Sequence, residues 1–191
     1  IDVGLFKNLV GTIRQPSFLL YDVSLLKSLP DSEWQNGFAE IIKHACIKDA
    51  AMYRDLVMHD INWYKGKKTE LAALVRRNAL LKTKVVQGDE TEQGDRKLLN
   101  YGHTLGHALE NQYELSHGQA IAIGMTYAAH LSASILDFRG TEKVVGLLSQ
   151  YQLPTYASFD RTKVFDVLKH DKKRERNQIH YILLQKIGKA V

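Results

Sequence analysis

The sequence predicts a mainly α-helical domain with minor β-structure at both ends. Apolar residues recur at helical spacing through most of the chain, and only short runs near the two ends have the apolar pattern of a strand. The hydrophobic content of 45% beside 25% charged residues is normal for a globular protein and too apolar for a disordered one. A chain of 191 residues fits one domain, or one domain and a piece.

The N-terminal region has the signals of a strand followed by a helical turn. Residues 17–22 (SFLLYD) follow Pro16 and have the pattern of a short buried strand. Residues 25–29 (LLKSL) predict a short helical turn that Pro30 ends. Asp31 or Ser32 is the expected N-cap of the first long helix.

Six longer helices and one C-terminal strand account for the remaining pattern. The helices are predicted over residues 33–59, 69–87, 98–113, 117–138, 141–151 and 161–170, with a strand at 179–184 and a turn after it. The helix at 117–138 is rich in small apolar residues, so we expect it to be buried all round.

Charge and cysteine content narrow the class of protein. A net charge of +5 suits anionic small molecules and nucleic acid alike. The sequence has no long basic run with interleaved aromatic residues, so we expect no nucleic-acid partner. Cys46 lies in an apolar helical stretch and is predicted to be a core thiol. Without an 18-residue apolar run or a signal-peptide pattern, we expect no membrane partner and a cytoplasmic location.

The segment GHTLGHALE, residues 102–110, has the spacing of a metal site. His103 and His107 are four residues apart and share one helix face, while His117 opens the next predicted helix. Glu40 is the candidate third ligand, because a lone carboxylate in the apolar segment GFAEIIKH is costly unless it is paired or bound to a metal. Structural, hydrogen-bonded histidines explain the same spacing, so both interpretations stay open at this point.

Cationic side chains accompany these candidate ligands in the sequence. Lys43 lies one turn from Glu40 and is flanked by apolar residues, where a free cation is unfavourable. The others are Lys82, Lys84, Arg96 and Lys97 upstream of His103, and Lys172, Lys173, Arg174 and Arg176 near the end. Solvated lysines are common, but cations around a metal would form a pocket for a polyanion such as a phosphorylated sugar acid.

Four segments in this order together resemble the 3-dehydroquinate synthases, a branch of the sugar phosphate cyclases. They are GFAEIIKHACIKD (37–49), KTKVVQGDETEQGDRKLLNYGHTLGHALE (82–110), LSHGQAIAIGM (115–125) and HDKK (170–173). The resemblance implies a carbon–oxygen lyase of the shikimate pathway of aromatic amino acid and chorismate biosynthesis. That enzyme converts 3-deoxy-D-arabino-heptulosonate 7-phosphate to 3-dehydroquinate and phosphate. The resemblance also implies NAD and a divalent metal, Zn²⁺ or Co²⁺, as cofactors.

The resemblance also implies roles for individual residues. The metal ligands would be Glu40, His103 and His117, and His107 would lie near the substrate phosphate and assist its elimination. The remaining substrate-site residues would be Lys43, Lys82, Glu92, Arg96, Asn100 and Lys172, with Lys173 an equal candidate for the last. Cofactor contacts would come from Lys7, Asn8, Leu25, Leu26, Lys27 and Ser28.

The chain departs from the family in its N-terminal part. The family has a nucleotide-binding half with a glycine-rich loop, whereas the 13 glycines here are scattered, and Gly4-Leu5-Phe6 is unusual before Lys7. We therefore expect residues 1–30 to be a connector and a remnant of that half, and residues 31–191 to form a helical metal- and substrate-binding domain. Such a fragment is expected to fold without turning over substrate. A homodimer is consistent with the resemblance, although burial inside one subunit explains the apolar helix at 117–138 equally well.

Three other interpretations stay open. Another sugar phosphate cyclase, such as a 2-deoxy-scyllo-inosose synthase, would share the metal ligands and differ in the groups that face the substrate carboxylate. A metal-dependent alcohol dehydrogenase such as glycerol dehydrogenase lacks the Arg96 and Asn100 arrangement ahead of the histidines. A non-catalytic helical domain would use the histidines structurally.

Overall fold

A computed structural model describes residues 10–12, 14–172 and 179–191, with the backbone alone for residues 111 and 169–172. The described residues form a helical domain with one small antiparallel hairpin. The helices are α1 (Asp31–Lys48), α2 (Ala50–Met58), α3 (Ile61–Gly66), α4 (Lys68–Gly88), α5 (His103–Gln112), α6 (His117–Leu136), α7 (Thr141–Gln150) and α8 (Arg161–Lys172). Two 3₁₀ helices span Val23–Ser28 and Asp95–Asn100, and the strands are β1 (Leu184–Lys186) and β2 (Lys189–Ala190). The predicted mainly α fold is confirmed.

Helix α6 lies at the centre of the core. It packs against α5, α1 and α7, and most of its residues from Gly118 to Ala129 are buried. Small side chains on α6 let the backbones of neighbouring helices approach closely. The predicted all-round burial holds for this part of the helix, whereas Ile135 in the last turn is exposed. Within the described residues, no helix combines the length and apolarity needed to cross a membrane.

Helices α5 and α6 pack tightly against each other at Gly124. A Cβ atom there would overlap the carbonyl oxygen of Gly102 and come within 3.0 Å of the amide nitrogen of Gly106. Gly102 itself has a φ of 79°, a left-handed conformation that glycine adopts without strain. Together these glycines bring the start of α5 directly against α6.

We expect Gly124→Ala to lower the free energy of unfolding by about 1–3 kcal/mol or more, because the added methyl group overpacks the α5–α6 contact. Gly146→Ala on α7 is the matched control, since no atom lies within 4 Å of the position that its added methyl group would take. That control should be neutral or stabilise the protein by up to about 1 kcal/mol, because alanine has the higher helix propensity. Urea unfolding of both variants measures the difference, and equal stabilities would contradict a tight α5–α6 contact.

Asp49 divides the single helix predicted over 33–59 into two. Its carboxylate accepts hydrogen bonds from the amides of Ala51 and Met52 and so caps α2. The same carboxylate binds Arg77 of α4 through two hydrogen bonds, of 2.7 and 2.8 Å. The short helix α3, which periodicity did not predict, is likewise capped by Asp60, which accepts from the Trp63 amide.

One predicted strand and the predicted starts of two helices are wrong. Residues 17–22 form no strand, since no described strand pairs with them, and Phe18 and Leu20 are exposed. The N-cap of α1 is Pro30, so Asp31 lies in the first turn of the helix. A negative charge there interacts favourably with the helix dipole. The helix predicted over 98–113 is a 3₁₀ helix followed by α5, because the left-handed Gly102 interrupts it.

The C-terminal hairpin is held to the helical core by hydrogen bonds that its backbone amides donate. The Leu184 amide donates to Ser132 Oγ of α6, and the Gly188 amide donates to the Cys46 carbonyl of α1. The predicted strand is therefore shifted, beginning at Leu184 instead of ending there. Cys46 is fully buried, as predicted, and burial raises the pKa of its thiol to about 12.

Candidate metal centre

The three candidate ligands come from three helices and meet at one point. Glu40 lies in α1, while His103 and His117 are the first residues of α5 and α6. Glu40 Oε1 is 3.2 Å from His117 Nε2 and 3.6 Å from His103 Nε2. Each residue offers one ligand atom within 4.8 Å of the others. The structure thus brings together the residues that the sequence singled out.

The donor atoms have the spacing and orientation that a divalent ion requires. Ligand atoms about 2.1 Å from a tetrahedral ion lie about 3.4 Å from one another, close to the measured separations. His103 Nδ1 is 3.2 Å from the Tyr101 carbonyl oxygen, and His117 Nδ1 is 3.2 Å from Glu110 Oε2. With protons on both Nδ1 atoms, the Nε2 atoms would be free to bind an ion beside Glu40. This set of two imidazoles and one carboxylate fits Zn²⁺ or Co²⁺.

The two histidines differ in protonation. Burial, aided by the nearby charge of Lys43, lowers the pKa of His103 to about 3. The hydrogen bond with Glu40 instead raises the pKa of His117 above its usual value. Burial opposes ionisation of Glu40, but the hydrogen bond with His117 and the charge of Lys43 outweigh it and hold that pKa well below its usual range. Near neutral pH the metal-free site therefore has an ionised Glu40 and a neutral His103, whereas His117 loses its second ring proton only at a higher pH than an ordinary histidine.

A metal ion should displace roughly one proton from this site, because only His117 must lose one to become a ligand. The logarithm of the Co²⁺ affinity should rise by about one per pH unit from about pH 5 to the raised pKa of His117 and level off above it. His103, with its pKa of about 3, is already neutral and adds no slope there. Titration of Co²⁺ across this pH range measures the slope. A slope of two below about pH 6.5, expected for two ordinary histidines, would contradict it.

A cavity of about 400 Å³ adjoins the three candidate ligands and carries several cations. Lys43 is 3% exposed, and its Nζ lies 2.6 Å from Glu40 Oε2. Burial lowers the pKa of Lys43, and the charge of Glu40 partly restores it. Lys82 and Arg96 also line this cavity. It therefore combines a cation site with groups that bind anions.

The loop before α5 holds the polar groups of the cavity in place. The Asp89 carboxylate accepts hydrogen bonds from the amides of Gln93, Gly94 and Arg96, which fold the loop back on itself. Glu92 Oε1 accepts from Asn100 Nδ2 at 2.6 Å. Glu92, Arg96 and Asn100 all line the cavity, so these predicted site residues lie together.

The other predicted site residues lie elsewhere. The His107 ring lies beside His103, with 5.0 Å between the two ring centroids. His107 is not among the residues that line the cavity. Leu25 to Ser28 belong to the first 3₁₀ helix, where Leu26 and Lys27 line a separate hollow beside Trp34. Lys7, Asn8 and Lys173 lie outside the described residues, and Lys172 ends α8 with its side chain outside them.

Sequence reasoning missed three polar residues of the site. His44 and Asn78 line the cavity and share a 2.7 Å hydrogen bond, while Glu110 contacts His117. Burial, followed by the charge of Lys43, lowers the pKa of His44 to about 4, so this imidazole is neutral. Helical spacing is the signal that finds them, because each lies three or four residues from a predicted site residue on its helix.

The comparison with known families agrees with this geometry. A family model described as 3-dehydroquinate synthase C-terminal matches residues 37–174, which contain all three candidate ligands. The chain belongs to the 3-dehydroquinate synthase family. It is 39% identical to a 3-dehydroquinate synthase of Halalkalibacterium halodurans, over 100% of this chain and 55% of the relative. A Listeria monocytogenes 3-dehydroquinate synthase is 40% identical, over 100% and 54%. The chain spans about half the length of the curated relatives it matches.

Solved sugar phosphate cyclases share the fold of this family member. A 2-epi-5-epi-valiolone synthase of Streptomyces hygroscopicus, with NAD⁺ and Zn²⁺ bound, has a TM-score of 0.88 at 23% identity and shows the fold alone. A 2-deoxy-scyllo-inosose synthase, complexed with carbaglucose-6-phosphate, NAD⁺ and Co²⁺, has a TM-score of 0.83 at 27% identity. Both match 100% of this chain and 55% of their own.

Proposed function

We propose that this chain is the metal- and substrate-binding part of a 3-dehydroquinate synthase. The complete protein would convert 3-deoxy-D-arabino-heptulosonate 7-phosphate to 3-dehydroquinate and phosphate. The observation that carries the proposal is the convergence of Glu40, His103 and His117 beside a cationic cavity, in a chain of this family. Residues 31–191 would form the domain that holds this site, and residues 1–30 would connect it to the rest of the protein.

Glu40, His103 and His117 would hold Zn²⁺ or Co²⁺. The solved relatives support this choice, since one contains Zn²⁺ and another Co²⁺. A bound divalent ion lowers the pKa of a coordinated hydroxyl group and so eases loss of hydride from its carbon. NAD is the hydride acceptor in the proposal, supported by its presence in both solved cyclases. Lys7, Asn8 and Leu25 to Ser28 are proposed cofactor contacts.

The cavity side chains would orient a polyanionic substrate. Lys43, Lys82 and Arg96 would bind its carboxylate and phosphate oxygens, because cations fixed in a partly buried cavity attract anions more strongly than in water. Asn100, oriented by Glu92, would hydrogen-bond a substrate hydroxyl. His107 would assist phosphate departure beside the metal ligands, and Lys172 would contact that phosphate.

The remaining parts of the proposal concern partners and location. The substrate is a small phosphorylated sugar acid, and no nucleic acid or membrane is involved. We also propose that the complete protein is a homodimer in the cytoplasm. Because much of α6 is buried inside the subunit, a dimer interface would have to use other surfaces.

A fusion tests the function. This chain would be joined to the part of the Halalkalibacterium halodurans relative that it does not match, then loaded with Zn²⁺ and NAD. We expect release of phosphate with formation of 3-dehydroquinate, and loss of both when His103→Ala is introduced. A folded, Zn²⁺-binding fusion that cyclises glucose 6-phosphate instead would contradict the proposal in favour of a 2-deoxy-scyllo-inosose synthase.

A further inference from the structure

We infer that Glu110 is a positioning residue for the metal centre, which fixes the orientation and tautomer of His117. The inference rests on the proposed metal site. Glu110 lies on α5, one turn beyond His107, and its Oε2 is 3.2 Å from His117 Nδ1. The opposite ring nitrogen, Nε2, is 3.2 Å from Glu40 Oε1. His117 is thus held between two carboxylates, one at the proposed metal position and one behind the ring.

His117 needs this support more than His103 does. The His103 side chain is 13% exposed, whereas that of His117 is 40% exposed. His103 Nδ1 faces a backbone carbonyl, which cannot change its position without moving the chain. The corresponding contact of His117 is a carboxylate that is 17% exposed and belongs to the neighbouring helix. Glu110 therefore ties the first residue of α6 to α5.

A carboxylate behind the ring has an electronic effect as well. An imidazole that donates its Nδ1 proton to a carboxylate becomes a better electron donor at Nε2, the atom directed at the metal position. Replacing a residue in this role typically lowers the metal affinity by about 10- to 100-fold. The tight packing at Gly124 fixes α5 relative to α6, so the Glu110–His117 pair is held by rigid elements.

A second cation is the competing explanation of the same residues. His107, Glu110 and His117 also offer ligand atoms within 4.8 Å of one another. A cation there would need the lone pair of His117 Nδ1 while Nε2 binds the first ion, and a neutral imidazole has only one lone pair to offer. A proton shared between His117 Nδ1 and Glu110 is therefore the favoured arrangement.

Zinc binding to variants of the 191-residue chain tests the inference. Glu110→Gln keeps an acceptor without the charge, and Glu110→Ala removes both. Glu114→Gln, an exposed glutamate just beyond α5, is the matched control that removes the same charge. Competition with a chromophoric chelator would give Zn²⁺ affinity and stoichiometry, and the visible spectrum of bound Co²⁺ would report the coordination geometry.

We expect the Zn²⁺ affinity to fall by about 10-fold in Glu110→Gln and towards about 100-fold in Glu110→Ala, with an altered Co²⁺ spectrum and no change in Glu114→Gln. Unaltered affinity and spectrum in Glu110→Ala, beside a tight wild-type site, would overturn this inference alone. Binding of two zinc ions, one of them lost in Glu110→Gln, would overturn it in favour of a second cation. A wild-type chain that binds no zinc would overturn the proposed function.

Discussion

Replacing either His103 or His117 with alanine is expected to lower the Zn²⁺ affinity of the chain by at least about 100-fold. Each substitution removes one of three proposed protein ligands, and a ligand to a divalent metal typically contributes several kcal/mol of binding free energy. Isothermal titration with Zn²⁺, supported by metal analysis of the purified variants, measures the loss. Both variants should also lose turnover in the fusion protein, because the ion would contact the reacting hydroxyl group.

His130→Ala is the matched control for this experiment. His130 is an exposed histidine on α6 that lies outside both groups of candidate ligands. Its removal should leave the affinity unchanged. If His130→Ala weakens binding as much as His117→Ala does, or if neither His103→Ala nor His117→Ala weakens it, the histidines have a structural role only.

Glu40→Ala should abolish metal binding and also destabilise the fold, by about 3 kcal/mol. The substitution removes the partner of Lys43, which is buried beside it and would be left as an uncompensated charge. Loss of the Lys43 proton limits the cost, because burial already lowers the pKa of this amine. Chemical unfolding measures the change in stability.

The double variant Glu40→Ala/Lys43→Met separates the two effects. Methionine has nearly the length of lysine and carries no charge, so the double variant should regain most of the lost stability while still binding no metal. If metal binding returned together with stability, Glu40 would be a structural partner of Lys43 and not a ligand.

Helical periodicity predicted the elements whose apolar residues recur regularly along the chain. The helices at α4, α6, α7 and α8 have nearly the predicted bounds, because the apolar residues of each recur at helical spacing. The strand expected at residues 17–22 fails, because a strand depends on a partner that sequence pattern does not reveal. The break at Asp49 arises from a side chain that caps α2 and pairs with Arg77 at the same time.

The site was predictable in its residues and not in its geometry. Glu40, His103 and His117 stand in short motifs, so the sequence alone singled them out. Their distances depend on the close contact between α5 and α6 at Gly124, which no local pattern specifies. Glu110 was missed because its role depends on the ring orientation of His117, a residue of another helix. The roles proposed for Lys7, Asn8 and Lys172 stay predictions, since the structure does not describe those side chains.

Anomalous diffraction at the zinc edge, from crystals of the chain grown with Zn²⁺, would locate the bound ion. We expect one ion about 2.0–2.2 Å from a Glu40 carboxylate oxygen and from Nε2 of both His103 and His117, with a position left open toward the cationic cavity. An ion bound among His107, Glu110 and His117, or ordered zinc absent from both places, would contradict it.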